Sequence, residues 1–396
     1  MPEMKMAYIN PQAVPDSLPS AIQVLQVVDS FGDMGVDVSL VTPTPSAGAN
    51  PTLFLGRPLS SNVRLVHLFD WRKKWFFPFS SHRPFYQQAK AWVKKYKPDV
   101  VYLRNLKLAE VLLSLKDRPK IVFETHELFA QTYRENHPAP TKRQQQKLEI
   151  LSARELKVYQ SVDALVTITQ ALLTDIQTTY HIQTPSCVAP DGVDLALAKE
   201  AHTPTHAESE PVMLYIGSLH PWKGVDTLIA AMPSVKRGML WIAGGMTEQI
   251  AALQAQADNL GVGARVRFLG KIPPAQRFKL IGKADICLLP LTDSSIASRY
   301  TSPLKLFEYM AMGKPIVVAN HESIREVLVH GQDGVLVDRC EDPLCFAESI
   351  NWLINDQDLQ KKLGAAAAVK SAQFTWHKRN QRVLALLDSL NDLALI

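Results

Sequence analysis

Residues Thr301 to Ala319, TSPLKLFEYMAMGKPIVVA, read as a polar loop, a helix and a buried strand in one continuous run. A helix opening across Ser302 to Lys305 leaves its first backbone N–H groups without carbonyl partners, and a Lys in that turn adds a full positive charge. Such a start is a ready anion site, suited to a nucleotide diphosphate. Gly313-Lys314-Pro315 ends the helix, and Ile316, Val317 and Val318 form the short apolar run of a parallel strand covered on both faces. The loop then lies at the carboxyl end of a sheet, where open α/β folds take their ligands.

The same alternation of strand and amphipathic helix runs through the whole chain and predicts doubly wound parallel sheets. In the first half the predicted strands are Met6–Ile9, Val36–Val41, Val63–His67, Val100–Leu103, Ile121–Glu124 and Ala164–Ile168, with helices near 19–34, 83–96 and 142–160. In the second half they are Val212–Tyr215, Met239–Ala243, Val266–Leu269, Ile286–Pro290, Ile316–Ala319 and Gly334–Val337. The turn Pro190-Asp-Gly-Val-Asp194 and the polar stretch Ala201–Pro211 mark a boundary near 195. Two Rossmann-like domains are expected, 1–195 and 196–373, followed by a helix at 374–396 whose apolar positions recur at helical spacing.

At 396 residues and 46% hydrophobic, the chain is long enough for two cores. No run approaches the ~18 apolar residues of a spanning helix, and Met1–Asn10 lacks a signal-peptide core, so a cytoplasmic protein is expected. The four cysteines have no C-x-x-C spacing and point to packed thiols. A formal net charge of +5 is too weak a field to argue nucleic acid, though its bias toward the first half suits an acidic or phosphorylated acceptor. A nicotinamide enzyme would need G-x-G-x-x-G after its first strand, and Ala7-Tyr-Ile-Asn-Pro11 is followed by prolines instead.

Three further stretches of the second half face the same sheet edge. Tyr215–Met232 sets Gly217 and Ser218 just past a strand and Lys223-Gly224 before a helix, so that a backbone and an ammonium can meet phosphate oxygens. Gly244-Gly245 is a second close-approach turn, and Gly270-Lys271-Ile272-Pro273 closes a strand. Arg299 lies just ahead of the Ser302-Pro303-Leu304-Lys305 loop, and Glu308 follows one turn into the helix.

These residues, in this order, resemble the retaining glycosyltransferases of family 4, in the branch carrying Ser-Pro-x-Lys-x-x-Glu-Tyr-Met-Ala. The resemblance implies the GT-B fold, two Rossmann-like domains facing across a cleft, with an acceptor side first and a nucleotide-sugar side second. It implies transfer of a sugar from a nucleotide diphosphate donor, a UDP- or GDP-sugar, to an acceptor hydroxyl in polysaccharide, glycolipid or glycoconjugate assembly. It assigns Lys223 to the departing diphosphate, Glu308 to the ribose hydroxyls, Lys271 and Ile272 to the base through their backbone, and the helix at 374–396 to the first domain. Ser218 stands where many members carry Arg, so Arg299 is the candidate to supply the missing guanidinium. Tyr300 stands where the family has the first Glu of Glu-x7-Glu, and Asp191 replaces the Asn of its Asn-Gly-Val-Asp hinge.

In the first half, Lys120–Phe129 ends a buried strand with His126 and Glu127. A His at that end can hydrogen-bond the donor sugar or stand near the leaving oxygen, and the family carries one there. Asn105 and Arg104 end the preceding strand. Trp71–Arg83, WRKKWFFPFSSHR, interleaves rings with cations as a peripheral contact with an anionic membrane would require. The sequence shows no metal-ligand cluster: His202 and His206 bracket Pro204, and Asp356-x-Asp358 lies in a polar stretch beyond the last strand, so metal-independent chemistry is expected. Two rivals remain on this evidence: a nucleotide-sugar 2-epimerase of the same fold, and a catalytically silent binding subunit.

Overall fold

The computed structural model describes residues 4–16, 18–46, 48–71, 81–201 and 210–393. They form two compact units, one of residues 1–190 with 376–396 and one of residues 191–375. Each unit is built on one parallel sheet with helices between its strands.

The first unit contains β1 (Lys5–Ile9), β2 (Asp37–Pro43), β3 (Val63–Leu68), β4 (Val100–Leu103), β5 (Lys120–Thr125), β6 (Ala164–Thr167) and β7 (Ser186–Val188), ordered 3-2-1-4-5-6-7. The second contains β8 (Val212–Ile216), β9 (Met239–Ala243), β10 (Val266–Gly270), β11 (Ile286–Leu289), β12 (Ile316–Ala319) and β13 (Val335–Val337), ordered 10-9-8-11-12-13. All the strand pairs are parallel. The central strands are buried throughout, as expected where helices cover both faces. The order reverses between β1 and β4 and again between β8 and β11, and these reversals are where ligand crevices open in such sheets.

One sequence device recurs at the amino ends. Asp99, Asp163 and Asp285 each stand immediately before a central strand. Each donates its N–H to the carbonyl of Lys5, Ile121 or Val212 in the neighbouring strand, and its carboxylate accepts that same residue's N–H. This two-way clamp satisfies the first backbone groups of a strand pair and fixes its register. A comparable device starts the helix Phe129–Glu135: the buried Glu155 accepts the N–H groups of Phe129 and Ala130 and the hydroxyls of Tyr159 and Tyr180.

The sequence predicted twelve strands, and the structure has a thirteenth, β7, a three-residue edge strand whose residues are only half-buried. The terminal helix Trp376–Leu393 packs on β7 and on the helix Pro19–Asp33, within the first unit. The expected boundary near 195 falls a few residues past the observed one, and most of Ala201–Pro211 lies outside the described residues. Among the described residues no helix is long and apolar enough to cross a membrane.

Candidate anion and nucleoside site

In the second unit the carboxyl ends of β8, β9, β10 and β11 share one edge of the sheet, because all four strands are parallel. β8 leads through Gly217 and Ser218 to the turn Pro221–Lys223, and β11 leads to the helix Leu304–Ala311. Lys223 and the start of that helix therefore flank the point where the strand order reverses.

The helix begins at Leu304, with Pro303 as its cap residue; the Leu306 N–H donates to the Pro303 carbonyl at 2.9 Å, and no side chain caps the amides ahead of it. Ser302 is placed ahead of it, buried, where its hydroxyl accepts the Asp191 N–H at 2.9 Å. The hydroxyl thus fastens the loop to the boundary turn, a bond that does not use the backbone N–H the sequence offers to an anion.

Lys305 is the unusual residue. Its ammonium nitrogen is buried, has no hydrogen-bond partner, and lies 4.1 Å from the centroid of the Tyr215 ring. Gly217 has a φ of +151°, which favours glycine, and a Cβ there would meet that nitrogen, so the lysine tip lies directly against this turn. Tyr215 is held in turn, its hydroxyl donating to the Ser218 carbonyl at 2.7 Å, while the Tyr309 hydroxyl accepts the Ile216 N–H at 3.0 Å. Lys223 stands near enough to repel Lys305. Burial first, and then the neighbouring Lys223, push Lys305 well below the usual lysine range. Burial lowers Lys223 to about 7, with its nitrogen 3.4 Å from the Trp222 ring centroid. Both lysines are desolvated and Lys223 further opposes charge on Lys305, an arrangement that a bound anion would relieve.

Glu308 is buried one turn beyond Lys305, with Oε1 2.6 Å from Arg277 Nε. Burial raises its pKa, while Arg277 and then Lys305 pull it back. Arg277 starts the helix Arg277–Gly282, directly after the loop that follows β10. In that loop Lys271 is exposed and Ile272 is half-buried against the core.

Several sequence expectations are revised here. Arg299, the candidate for the Arg missing at Ser218, is ion-paired with Glu322, while Lys305 occupies the space beside Gly217. Gly245 does not open space for a ligand, because a Cβ there would strike Leu219, and Gly244 is closed against the Gly217 carbonyl in the same way. Tyr300, at the first motif Glu position, is wholly buried.

In the first unit His126 follows β5, and Arg104 follows β4. Arg104 Nη2, which can only donate, lies 2.8 Å from His126 Nδ1, so Nδ1 accepts and Nε2 carries the proton, 2.5 Å from Glu124 Oε1. Arg104 also donates to Gln23 Oε1 at 2.5 Å. Burial, reinforced by Arg104, lowers His126 to about 4, so the ring is neutral at pH 7. Both nitrogens of His126, the ring expected near the donor sugar or the leaving oxygen, are thus engaged within the first unit. Behind it Glu124 is wholly buried and receives Arg379 Nη2 of the terminal helix at 2.5 Å and the Tyr102 hydroxyl. Burial opposes ionisation of Glu124, but Arg379, His126 and Arg104 together outweigh it and hold the carboxyl well below its usual range. Sequence inspection missed Arg379 because a lone Arg in an amphipathic terminal helix carries no signal of burial.

Among the described residues no group of three or more His, Cys, Asp or Glu could hold a metal ion. Arg72 to Ser80, the centre of the aromatic and basic segment, lie outside the described residues; Phe69 and Trp71 just before them are exposed and meet edge to face at 5.1 Å.

Residues 20–197 match the model described as Glycosyltransferase Family 4, and residues 199–370 match Glycosyl transferases group 1. A D-inositol 3-phosphate glycosyltransferase of Corynebacterium diphtheriae is 30% identical over 174 residues, 42% of this chain and 39% of the relative. That of Corynebacterium efficiens is 28% identical over 245 residues, 56% of this chain and 55% of the relative. The matched stretches thus span about half the length of these curated relatives. Among solved structures, sucrose-phosphate synthase from Thermosynechococcus elongatus superimposes with a TM-score of 0.79 at 18% identity, over 99% of this chain and 100% of the other. Anabaena HepE in complex with UDP and glucose does so with a TM-score of 0.74 at 18% identity, over 98% and 100%. These likenesses establish the GT-B fold.

Proposed function

We propose that this chain, a Family 4 domain followed by a group 1 domain, is a glycosyltransferase that moves a sugar from a nucleotide diphosphate donor to an acceptor hydroxyl. The observation that carries the reading is the buried, unpartnered ammonium of Lys305 beside Lys223 at an uncapped helix start. A diphosphate would restore both lysines to their charged form and accept from the first helix amides. During transfer, negative charge grows on the departing diphosphate, and cations already held in place stabilise it without reorganisation.

Glu308 is proposed to take the ribose hydroxyls and the Lys271-Ile272 loop the base, with UDP and GDP the leading candidates. Solved relatives in complex with UDP and with UDP-glucose make a uridine donor the first to test. The reaction is proposed to retain configuration: the acceptor attacks on the face from which the diphosphate leaves, and a phosphate oxygen takes its proton. His126, locked as a neutral ring by Arg104 and Glu124, would contribute shape rather than a mobile proton. The acceptor is assigned to the first unit. Relatives named for inositol 3-phosphate add a phosphorylated cyclitol to the candidates, beside sugar and lipid-linked acceptors of polysaccharide, glycolipid or glycoconjugate assembly. Exposed Phe69 and Trp71 support a peripheral contact with anionic membrane.

The test is a thermal-shift screen of UDP-, GDP- and ADP-sugars followed by turnover with EDTA present. A ligand at 100 times its Kd is expected to stabilise the fold by about 2.7 kcal/mol, and turnover is expected to persist in EDTA because lysines supply the charge. Absence of stabilisation by every donor would overturn the reading; loss of turnover restored by magnesium or manganese would overturn the lysine account of the leaving group.

A further inference from the structure

Arg277 lies outside every motif, yet it joins two parts of the nucleoside site. It follows the turn Pro274–Gln276 that closes the loop after β10, and its Nη1 donates back to the Pro274 carbonyl at 3.3 Å. From there its Nε reaches Glu308 Oε1 at 2.6 Å, on a helix that leads into β12, while its guanidinium carbon lies 5.0 Å from the Phe278 ring centroid. Both partners are largely buried, with side-chain exposures of 15% and 12%.

We infer that Arg277 is a positioning residue for nucleoside recognition: it fixes the Glu308 carboxylate by one oxygen and ties that carboxylate to the loop after β10. The inference rests on the reading of Glu308 as the ribose ligand. A buried carboxylate ion-paired at one oxygen keeps its other oxygen for a second partner, and the buried guanidinium holds the carboxylate charged and in place. Because the same guanidinium grips the turn behind the base loop, displacement of the loop would also move the carboxylate.

The charged and titratable groups facing Glu308 are Arg277 from the preceding helix, Lys305 and Tyr309 on its own helix, and, through Lys305, Lys223. Arg277 is the larger of the two influences that offset burial at this carboxyl. Its removal therefore raises the pH at which Glu308 protonates. Ribose capture by a carboxylate is present above that pH and lost below it, so the acid limb of nucleotide binding moves upward.

The experiment compares wild type, R277Q and R277K in binding UDP, GDP and inorganic pyrophosphate between pH 5 and 8, with thermal melts confirming that each variant is folded. R277Q is expected to bind the preferred nucleoside diphosphate about tenfold more weakly at pH 6.5, through loss of the ion pair that holds Glu308 charged and in place. Its acid limb should lie at higher pH, R277K should return that limb toward wild type, and pyrophosphate affinity should stay within twofold throughout. R277Q binding within twofold of wild type at every pH would overturn the inference. Equal losses for pyrophosphate and nucleotide would also overturn it, since they mark a general packing role. Wild type that binds pyrophosphate but neither nucleotide would overturn the underlying reading of Glu308, a result distinct from both.

Discussion

Replacing Lys305 with Met is expected to lower turnover by about 100- to 1,000-fold, the effect of removing one preorganised electrostatic contact, while leaving the second unit at least as stable as wild type. The two effects have opposite signs for one reason. In the ligand-free protein this amine is buried with no hydrogen-bond partner beside Lys223, and keeping it there, whether charged or neutralised, costs folding free energy. Met fills similar volume and can lie against the Tyr215 ring without a charge. Strain of this kind is kept where it serves a ligand. The check is kcat at saturating donor together with a thermal melt. Near wild-type turnover would remove Lys305 from the leaving-group site, and a loss of stability would mean that the ammonium is structural.

The second large effect is on folding. Arg379→Ala should destabilise the first unit by about 3–5 kcal/mol, the usual cost of stranding one member of a buried ion pair. Both side chains are 1% exposed, so water cannot replace the guanidinium, and Glu124 would be left facing only Arg104, His126 and the Tyr102 hydroxyl. Urea unfolding should show a lower midpoint with little change in slope. The sign with pH follows from the depressed Glu124 carboxyl: its contribution is fully present above the unfolded carboxylate value of about 4.3 and fades as pH falls through the lower, folded value. Replacing Glu124 by Leu and Arg379 by Met together should cost less than the two single changes added, because neither charge is then left alone. A single-mutant cost below about 1 kcal/mol would contradict this assignment.

The fold was legible because its strands are short, apolar and β-branched, and twelve of the thirteen lie at or within two residues of the positions their composition predicts. β7 escaped because Ser186-Cys187-Val188 is an edge strand of three half-buried residues with no apolar run to announce it. The anion site was legible in part. Lys223 and Lys305 stood out because glycines and a helix start surround them, but the glycines proved to accommodate the protein's own atoms: Gly217 admits the Lys305 ammonium, and Gly245 admits Leu219. Residues acting through long-range pairing, Arg277 on Glu308 and Arg379 on Glu124, were not legible. Those pairs are 31 and 255 residues apart in the chain, and a lone cation in a polar helix carries no trace of its partner.

The central claim is that two desolvated lysines await the phosphates of a nucleotide. It is tested most directly by calorimetric titration with UDP and GDP at pH 8, in two buffers of different ionisation enthalpy. Lys223, lowered to about 7, is largely neutral at this pH when free, and burial and then Lys223 push Lys305 well below the usual lysine range. A bound diphosphate favours their charged forms. The account predicts net proton uptake on binding, with affinity falling as pH rises above 7. Binding with no proton uptake, at an affinity constant from pH 6 to 9, would contradict it.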